Sequence, residues 1–117
     1  GYPRDTSSPE YFESWKAGIE SIAQAPNVMC KISGLGMNRV DWTIEDLRPW
    51  VEHCIQTFGP NRCMFGSNWP VDRLYASYDA YVTAYRTLIE RYTNAEQTLL
   101  LSGTADRVYS IPGVTVI

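Results

Sequence analysis

Asn68 is the strongest candidate for a residue that takes part in chemistry, and it follows a short apolar segment at residues 62–67. Pro70 cannot continue a central strand, so a strand here would end before it and leave Asn68 at its carboxyl end. In open parallel α/β structures, ligands bind beyond the carboxyl ends of the strands, which makes Asn68 a candidate catalytic group. Asparagine also hydrogen-bonds readily within turns, and the spacing alone leaves both interpretations open.

A second polar pair lies in another short apolar segment, at residues 28–33. Side chains alternate along a strand, so Lys31 and Ser33 share one face while Ile32 faces the other way. A lysine among apolar residues is costly unless it reaches water, a partner or a substrate. Lys31 and Ser33 are therefore candidates for a binding site. The alternative is that Lys31 extends to the rim of the sheet or forms a structural ion pair.

The loops after these two segments contribute three further candidates. Arg39 and Arg73 carry guanidinium groups that can bind a substrate carboxylate, although ordinary solvated loop charges fit the same positions. Trp69 lies next to Asn68 and is the one tryptophan expected to form a pocket wall, because the other three fall in predicted core positions.

The histidine and cysteines do not form a recognisable site. His53 is the only histidine, and side chains at adjacent helix positions such as His53 and Cys54 do not face each other. The other two cysteines, Cys30 and Cys63, complete an odd set without a CxxC pair. The sequence therefore predicts structural thiols in a reducing, cytoplasmic compartment, with neither a zinc site nor a disulfide framework.

The elements that position these side chains alternate between helices and the two apolar segments, which are the predicted strands. Ser8 before Pro9 predicts the start of a first helix. Thr43 with Asp46 predicts a capping box at the start of a second, and Gly59 ends it. This alternation is typical of βα units in a parallel sheet.

Two more helices are predicted in the C-terminal part of the chain. The first covers residues 78–92, where apolar side chains recur at helical spacing. The second begins at a Thr93–Asn94 cap and continues through Leu101, until Gly103–Thr104 interrupt it before a last short turn. Residues 111–117 are expected to form a tail.

Charge and length exclude several classes of protein. Ten Lys and Arg stand against 13 Asp and Glu, a net charge of −3, and a nucleic-acid-binding protein needs a basic face. No apolar run reaches the ~18 residues of a membrane helix. Two parallel strands leave both sheet edges open, so residues 1–117 are predicted to be a single partial domain from the end of a larger α/β fold.

Residues 62–72, which read RCMFGSNWPVD, resemble the strand-8 signature of the amidohydrolase-related proteins, a family of TIM-barrel metal-dependent hydrolases and lactonases. Other segments resemble further parts of that family in the same order: the loop after strand 6 at residues 1–4, strand 7 at 28–35, its following helix at 50–59, and the C-terminal turn at 102–109. The resemblance implies a partial (β/α)8 TIM barrel, namely its last two parallel strands, 7 and 8, with flanking helices.

The same resemblance implies a hydrolase that attacks a lactone, cyclic ester or amide with an activated water. In the family, an acidic residue ending strand 8 acts as a metal ligand or general base. That position is Asn68 here, and a neutral amide cannot take up a proton, so Asn68 is expected to orient a water or the carbonyl oxygen. Lys31, Ser33, Arg39 and Trp69 are the implied substrate-binding candidates.

The remaining family ligands would belong to strands 1 to 6, which are not in these 117 residues. We therefore expect no metal site and no hydrolase activity in the isolated chain. The full-length protein would bind a divalent metal, zinc or a similar ion, and a small-molecule lactone or ester. The alternative is a non-catalytic α/β interaction module that self-associates through its open strand edges. Neither interpretation involves nucleic acid or a membrane.

Overall fold

The computed structural model describes residues 7–37, 39–110 and 112. This part of the chain alternates helices with two short strands, as the sequence predicts. In chain order the elements are α1 (Pro9–Ala23), β1 (Cys30–Ile32), α2 (Ile44–Phe58), a 3-10 turn (Pro60–Arg62), β2 (Cys63–Phe65), a second 3-10 turn (Val71–Leu74), α3 (Tyr78–Leu88), α4 (Asn94–Thr98), a π-helical turn (Leu99–Gly103) and α5 (Thr104–Tyr109).

The two strands pair in parallel, which confirms the mixed α/β character of the predicted fold. The paired residues are Cys30 with Cys63, Lys31 with Met64, and Ile32 with Phe65. Both strands are shorter than the apolar segments that predict them, because strand structure extends only as far as a neighbouring strand pairs with it. One further bond, from Gly66 N to Ile32 O at 2.9 Å, continues the pairing toward the carboxyl ends.

One face of this small sheet carries the hydrophobic core. Ile32 and Cys63 are buried among apolar side chains of α2, α3 and the π-helical turn, including Val51, Leu88 and Leu100. On the same face, the ring of Phe65 stacks on Tyr85 with centroids 4.2 Å apart. The core therefore covers one side of the strands.

Local capping fixes the starts of the first two helices where the sequence predicts them. The Ser8 hydroxyl accepts a hydrogen bond from Tyr11 N at 3.2 Å, and Pro9 occupies the first turn of α1. At α2, Thr43 N donates to Asp46 Oδ2 at 2.8 Å while Asp46 N donates to Thr43 Oγ1 at 3.2 Å, which is a complete capping box.

Arg62 joins the ends of α1 and α2 and has no counterpart among the sequence predictions. Its guanidinium donates to the carbonyl oxygens of Ala23 and Ala25, both at 3.1 Å, and its Nε donates to Phe58 O at 3.1 Å. These carbonyls lie at or just past helix ends, where oxygens lack intrahelical partners. Arg62 thus fixes where the chain enters β1 and β2.

Two predictions for the C-terminal helices are wrong. The helix predicted over residues 78–92 ends at Leu88, because the chain reverses before the Thr93 capping box that starts α4. The predicted break at Gly103–Thr104 is absent, since the π-helical turn continues directly into α5. Thr104 is fully buried there and its hydroxyl donates to Pro60 O at 3.0 Å, so a tertiary contact holds this segment helical.

Two predictions concern residues outside 7–37, 39–110 and 112. The predicted tail at 111–117 lies outside the described residues except for Pro112, and the resemblance at residues 1–4 lies outside them entirely. Within the described part of the chain, no helix combines the length and apolar character needed to cross a bilayer.

Candidate functional site

Asn68 follows the carboxyl end of β2, as the sequence predicts, but its backbone departs from the strand. Its φ is +54°, in the left-handed region that Asn tolerates better than most residues. The peptide bond between Trp69 and Pro70 is cis. On the loop after β1, Gly34 is also left-handed, with a φ of +70°. The chain therefore turns sharply at the carboxyl end of each strand.

The amide of Asn68 lies between the loops that follow the two strands. Its Nδ2 donates to Asp72 Oδ1 at 2.9 Å and lies 3.3 Å from Met37 Sδ. A methyl group added at Gly34 would come to 3.4 Å from the same nitrogen. Asn68 is thus packed against the loop after β1 through its amide nitrogen and tied to its own loop through Asp72.

Asp72 is the functional candidate that sequence reasoning missed. It is the second residue of the 3-10 turn that follows Asn68, and its side chain is 0% exposed. Its backbone N donates to Asn68 O at 3.2 Å. Burial raises the pKa of the Asp72 carboxyl, while hydrogen bonding from Asn68 and the nearby Tyr81 phenol acts in the opposite direction. The only sequence signal is its position four residues after Asn68.

A group of buried polar atoms lies beside this carboxylate. Asp72 Oδ2, Tyr81 Oη and Trp42 Nε1 are all buried, and none has a well-formed hydrogen bond within the described residues. The rings of Trp42 and Tyr81 stack with centroids 5.0 Å apart. Burial, and after it the charge of Asp72, raises the pKa of Tyr81 to about 12. The Tyr81 phenol is therefore a neutral neighbour of Asp72 at physiological pH.

Gly36 makes room for these two rings. A methyl group added there would lie 2.5 Å from Tyr81 Oη and 2.7 Å from Trp42 Nε1. Both distances are shorter than van der Waals contact, so only glycine fits this backbone position without a shift of its neighbours. The loop after β1 therefore packs tightly against Tyr81 and Trp42.

Lys31 and Ser33 share the sheet face opposite the core, as predicted. Both lie next to Gly66, which follows β2: a methyl group there would meet Lys31 Cε at 2.6 Å and Ser33 Oγ at 3.2 Å. Lys31 is exposed, and no acidic side chain of the described residues forms an ion pair with it. An ammonium group and a hydroxyl are thus available on one polar face near the strand ends.

The other two predicted binding residues are less closely associated with Asn68. Arg39 Nε donates to Asp41 Oδ1 at 3.4 Å, and an amino group of the same guanidinium lies 3.6 Å from Asp46 Oδ2 at the start of α2. Trp69 is 43% exposed, and its ring packs edge-on against Tyr78 at 5.6 Å. Arg39 therefore supports the cap of α2, while the indole remains open to a ligand.

His53 and the cysteines lie away from the strand ends or in the core. His53 Nε2 is 3.5 Å from Glu20 Oε1, a contact between α2 and α1. Cys54 and Cys63 are buried, with Cys63 Sγ 3.5 Å from Cys54 O. In residues 7–37, 39–110 and 112, no three His, Cys, Asp or Glu side chains come together to hold a metal ion. Asn68 would supply at most one neutral oxygen ligand, so these residues do not form a metal site by themselves.

Comparisons with known proteins agree on one family. The model of the amidohydrolase family matches residues 1–111. The uncharacterized protein y4mH of Sinorhizobium fredii is 45% identical, over 88% of this chain and 35% of its own. An L-fucono-1,5-lactonase of Burkholderia multivorans is 41% identical, over 84% of this chain and 36% of its own. The chain thus spans about a third of the length of these curated relatives.

Solved structures of related proteins contain the same fold as this chain. The crystal structure of an amidohydrolase from Burkholderia multivorans with bound Zn superimposes with a TM-score of 0.84 and 35% sequence identity. The match covers 94% of this chain and 41% of that one. The two strands and their helices therefore have the arrangement found in one part of that larger protein.

Proposed function

Because the chain belongs to the amidohydrolase family, we propose that it is the C-terminal part of a hydrolase that opens a sugar-acid lactone with an activated water. The observation that carries this proposal is the placement of Asn68 at the carboxyl end of β2, with its amide held between two loops. A relative named as an L-fucono-1,5-lactonase, 41% identical, supports the substrate class. The catalytic groups beyond this segment would come from the rest of the full-length protein.

Asn68 has a limited chemical role in this reaction. The water oxygen bonds to the lactone carbonyl carbon, the ring C–O bond breaks, and the ring oxygen takes up a proton to give the hydroxy acid. An amide cannot remove a proton from the water. Asn68 Oδ1 can accept a hydrogen bond from the attacking water and hold it in line with the carbonyl carbon. The base must therefore be a group other than Asn68.

Lys31, Ser33 and Trp69 would bind the substrate rather than transform it. The Lys31 ammonium and the Ser33 hydroxyl are donors on the polar face of the sheet, suited to the carbonyl and hydroxyl oxygens of a sugar lactone. Trp69, next to Asn68 in the sequence, offers an exposed apolar wall. Since the described residues do not form a metal site, no step is assigned to a metal; in the full-length protein a divalent ion would need ligands from elsewhere.

The test uses the full-length protein that carries this segment, with L-fucono-1,5-lactone as substrate and base consumption at constant pH as the readout. We expect lactone hydrolysis, and we expect Asn68→Ala to lower kcat by about 100-fold, because a poorly placed reactant costs about that much. Asn27→Ala, on the exposed turn before β1, is the matched control and should leave kcat unchanged. An active Asn68→Ala variant would remove Asn68 from the mechanism, and a full-length protein inactive on sugar lactones would overturn the proposed substrate.

The alternative function, a non-catalytic self-associating module, draws support from an apolar groove beside β1. The mostly apolar lining of this groove of about 280 Å³ includes Trp15, Ile19 and Leu35, together with Lys31 and Ser33, and its Ile22 is 53% exposed. Light scattering on the purified chain distinguishes the two proposals. A single defined oligomer, together with an inactive full-length protein, would favour the module.

A further inference from the structure

Two hydrogen bonds connect Asp72 to Asn68 from opposite directions. The Asn68 side-chain Nδ2 donates to Asp72 Oδ1 at 2.9 Å, and the Asp72 backbone N donates to Asn68 O at 3.2 Å. The backbone oxygen of Asp72 accepts from Tyr75 N at 2.9 Å and Ala76 N at 3.1 Å. Asp72 is therefore a fixed point of the turn rather than a mobile loop charge.

This arrangement determines which end of the Asn68 amide is presented to a ligand. A carboxylate only accepts hydrogen bonds, so the amide must turn its NH2 group toward Asp72. Met37 Sδ, a weak acceptor, lies 3.3 Å from the same nitrogen and favours the same orientation. The carbonyl oxygen Oδ1 is left as the free end of the amide. Without an acceptor-only partner, the amide could rotate by half a turn and present NH2 instead.

The position of Asp72 is costly for the folded state. Its side chain is 0% exposed, and its second oxygen, Oδ2, forms no well-aligned hydrogen bond among the described residues, although the Tyr81 phenol lies near the carboxylate. Burial of a polar group without a partner destabilises the folded state. The 3-10 turn at Val71–Leu74 does not need the Asp72 carboxylate, because backbone N–H and C=O groups form its hydrogen bonds. Asp72 therefore contributes something that the fold alone does not require.

We propose that Asp72 is the positioning residue that holds the Asn68 amide with Oδ1 directed to the reacting water. This inference rests on the proposed function, because it assigns Asn68 the role of a hydrogen-bond acceptor in lactone hydrolysis. In this role Asp72 acts through Asn68, since its own side chain is 0% exposed. Tyr81 and Trp42 pack beside Asp72 and keep bulk water from the carboxylate.

The central experiment is a double-mutant comparison in the full-length protein. Asp72→Asn keeps the shape of the side chain but removes the acceptor-only character, so we expect kcat to fall about 10-fold with KM changed less than about 2-fold. In an Asn68→Ala background, the same Asp72→Asn change should cause no further loss of kcat. Asp79→Asn, an exposed aspartate in the first turn of α3, is the matched control and should leave kcat and KM unchanged.

Other outcomes would overturn the proposal. An equal loss of kcat from Asp72→Asn in both backgrounds would mean that Asp72 acts on the fold, and an unchanged kcat would mean that it does not position Asn68. If the unmodified protein does not hydrolyse sugar lactones, the proposed function fails, and a neutron crystal structure of Asp72→Asn, in which the amide O and N atoms are distinguished, then tests the orientation by itself. A second Asn68 amide orientation there supports the inference, and an unchanged one contradicts it.

A measurement on the unmodified protein covers the case in which Asp72→Asn does not fold. The NH2 hydrogens of Asn68 should exchange with solvent at least 10-fold more slowly than those of exposed Asn27, as measured by side-chain amide NMR. Equal exchange rates would show that Nδ2 is not held by Asp72 and would overturn the inference.

Discussion

At the scale of single residues, the left-handed backbone at Asn68 explains how a side chain after β2 comes to face the loop after β1. Continued alternation would keep Asn68 on one face of the strand. A φ of +54° ends that alternation and lets Nδ2 contact Asp72 and Met37. Gly34, left-handed as well, lies so near that a methyl group added there would be 3.4 Å from the same amide nitrogen. The left-handed backbone at Asn68 and at Gly34 thus brings the two loops into contact at the Asn68 amide.

Gly36 offers a direct test of this packing. Because an added methyl group would lie 2.5 Å from Tyr81 Oη and 2.7 Å from Trp42 Nε1, we expect Gly36→Ala to lower the free energy of unfolding by about 1–3 kcal/mol through overpacking. Urea denaturation followed by tryptophan fluorescence measures the change. Gly18→Ala is the control: nothing lies within 4 Å of its new methyl group in α1, and it should stabilise by up to about 1 kcal/mol. Equal stability of Gly36→Ala and wild type would refute the tight packing of this loop.

The candidate site was partly predictable from the sequence. Asn68 was found because a proline and an apolar segment mark the strand end, and the shared face of Lys31 and Ser33 follows from alternation alone. Asp72 gave no comparable signal, because its burial depends on the 3-10 turn folding beneath Tyr81 and Trp42. The roles of Arg39 and Trp69 stay predictions, since their contacts depend on what lies opposite them.

At the scale of elements, starts of helices were easier to predict than their ends. Ser8 and the Thr43 capping box act within four residues, so the sequence alone specifies them. The end of α3 at Leu88 and the π-helical turn that continues into α5 depend on tertiary contacts, such as the bond from Thr104 to Pro60. Similarly, the strand lengths depend on pairing with a neighbour rather than on apolar content.

The capping box of α2 yields a prediction with a defined pH dependence. Thr43→Ala removes the hydroxyl that accepts from Asp46 N, and we expect a loss of about 1 kcal/mol in unfolding free energy. Hydrogen bonds from the backbone and hydroxyl of Thr43 hold the pKa of Asp46 below its usual range. The folded state therefore gains stability above the unfolded pKa of Asp46 and loses it as pH falls through the lowered value.

Urea denaturation at neutral and acidic pH checks this effect. The difference between Thr43→Ala and wild type should be largest near neutral pH and shrink in acid. Thr83→Ala, at an exposed position of α3, is the control and should change stability by less than about 0.5 kcal/mol. A pH-independent loss would mean that the hydroxyl acts without Asp46.

At the scale of the whole molecule, the two strands pair only with each other within the described residues, so each has an unpaired edge. Unpaired strand edges promote association with other chains. The proposed site has the same incompleteness, because the amide assigned to orient the water, that of Asn68, cannot remove its proton. Since the chain spans about a third of the length of its curated relatives, we propose one explanation for both features, namely that further strands and the base belong to the same larger protein.

That explanation predicts no lactonase activity from the purified 117-residue chain. With L-fucono-1,5-lactone, base consumption should equal that of buffer alone, while the full-length protein should hydrolyse the lactone under the same conditions. Zinc titration by calorimetry should detect no tight site in the short chain, because no three of its described His, Cys, Asp and Glu side chains come together to hold an ion. Chelator-sensitive turnover by the short chain would contradict the prediction, since it would require a base and metal ligands from these residues alone. Addition of the separately expressed N-terminal part gives a stricter comparison: restored turnover would show that the two parts assemble into an active enzyme.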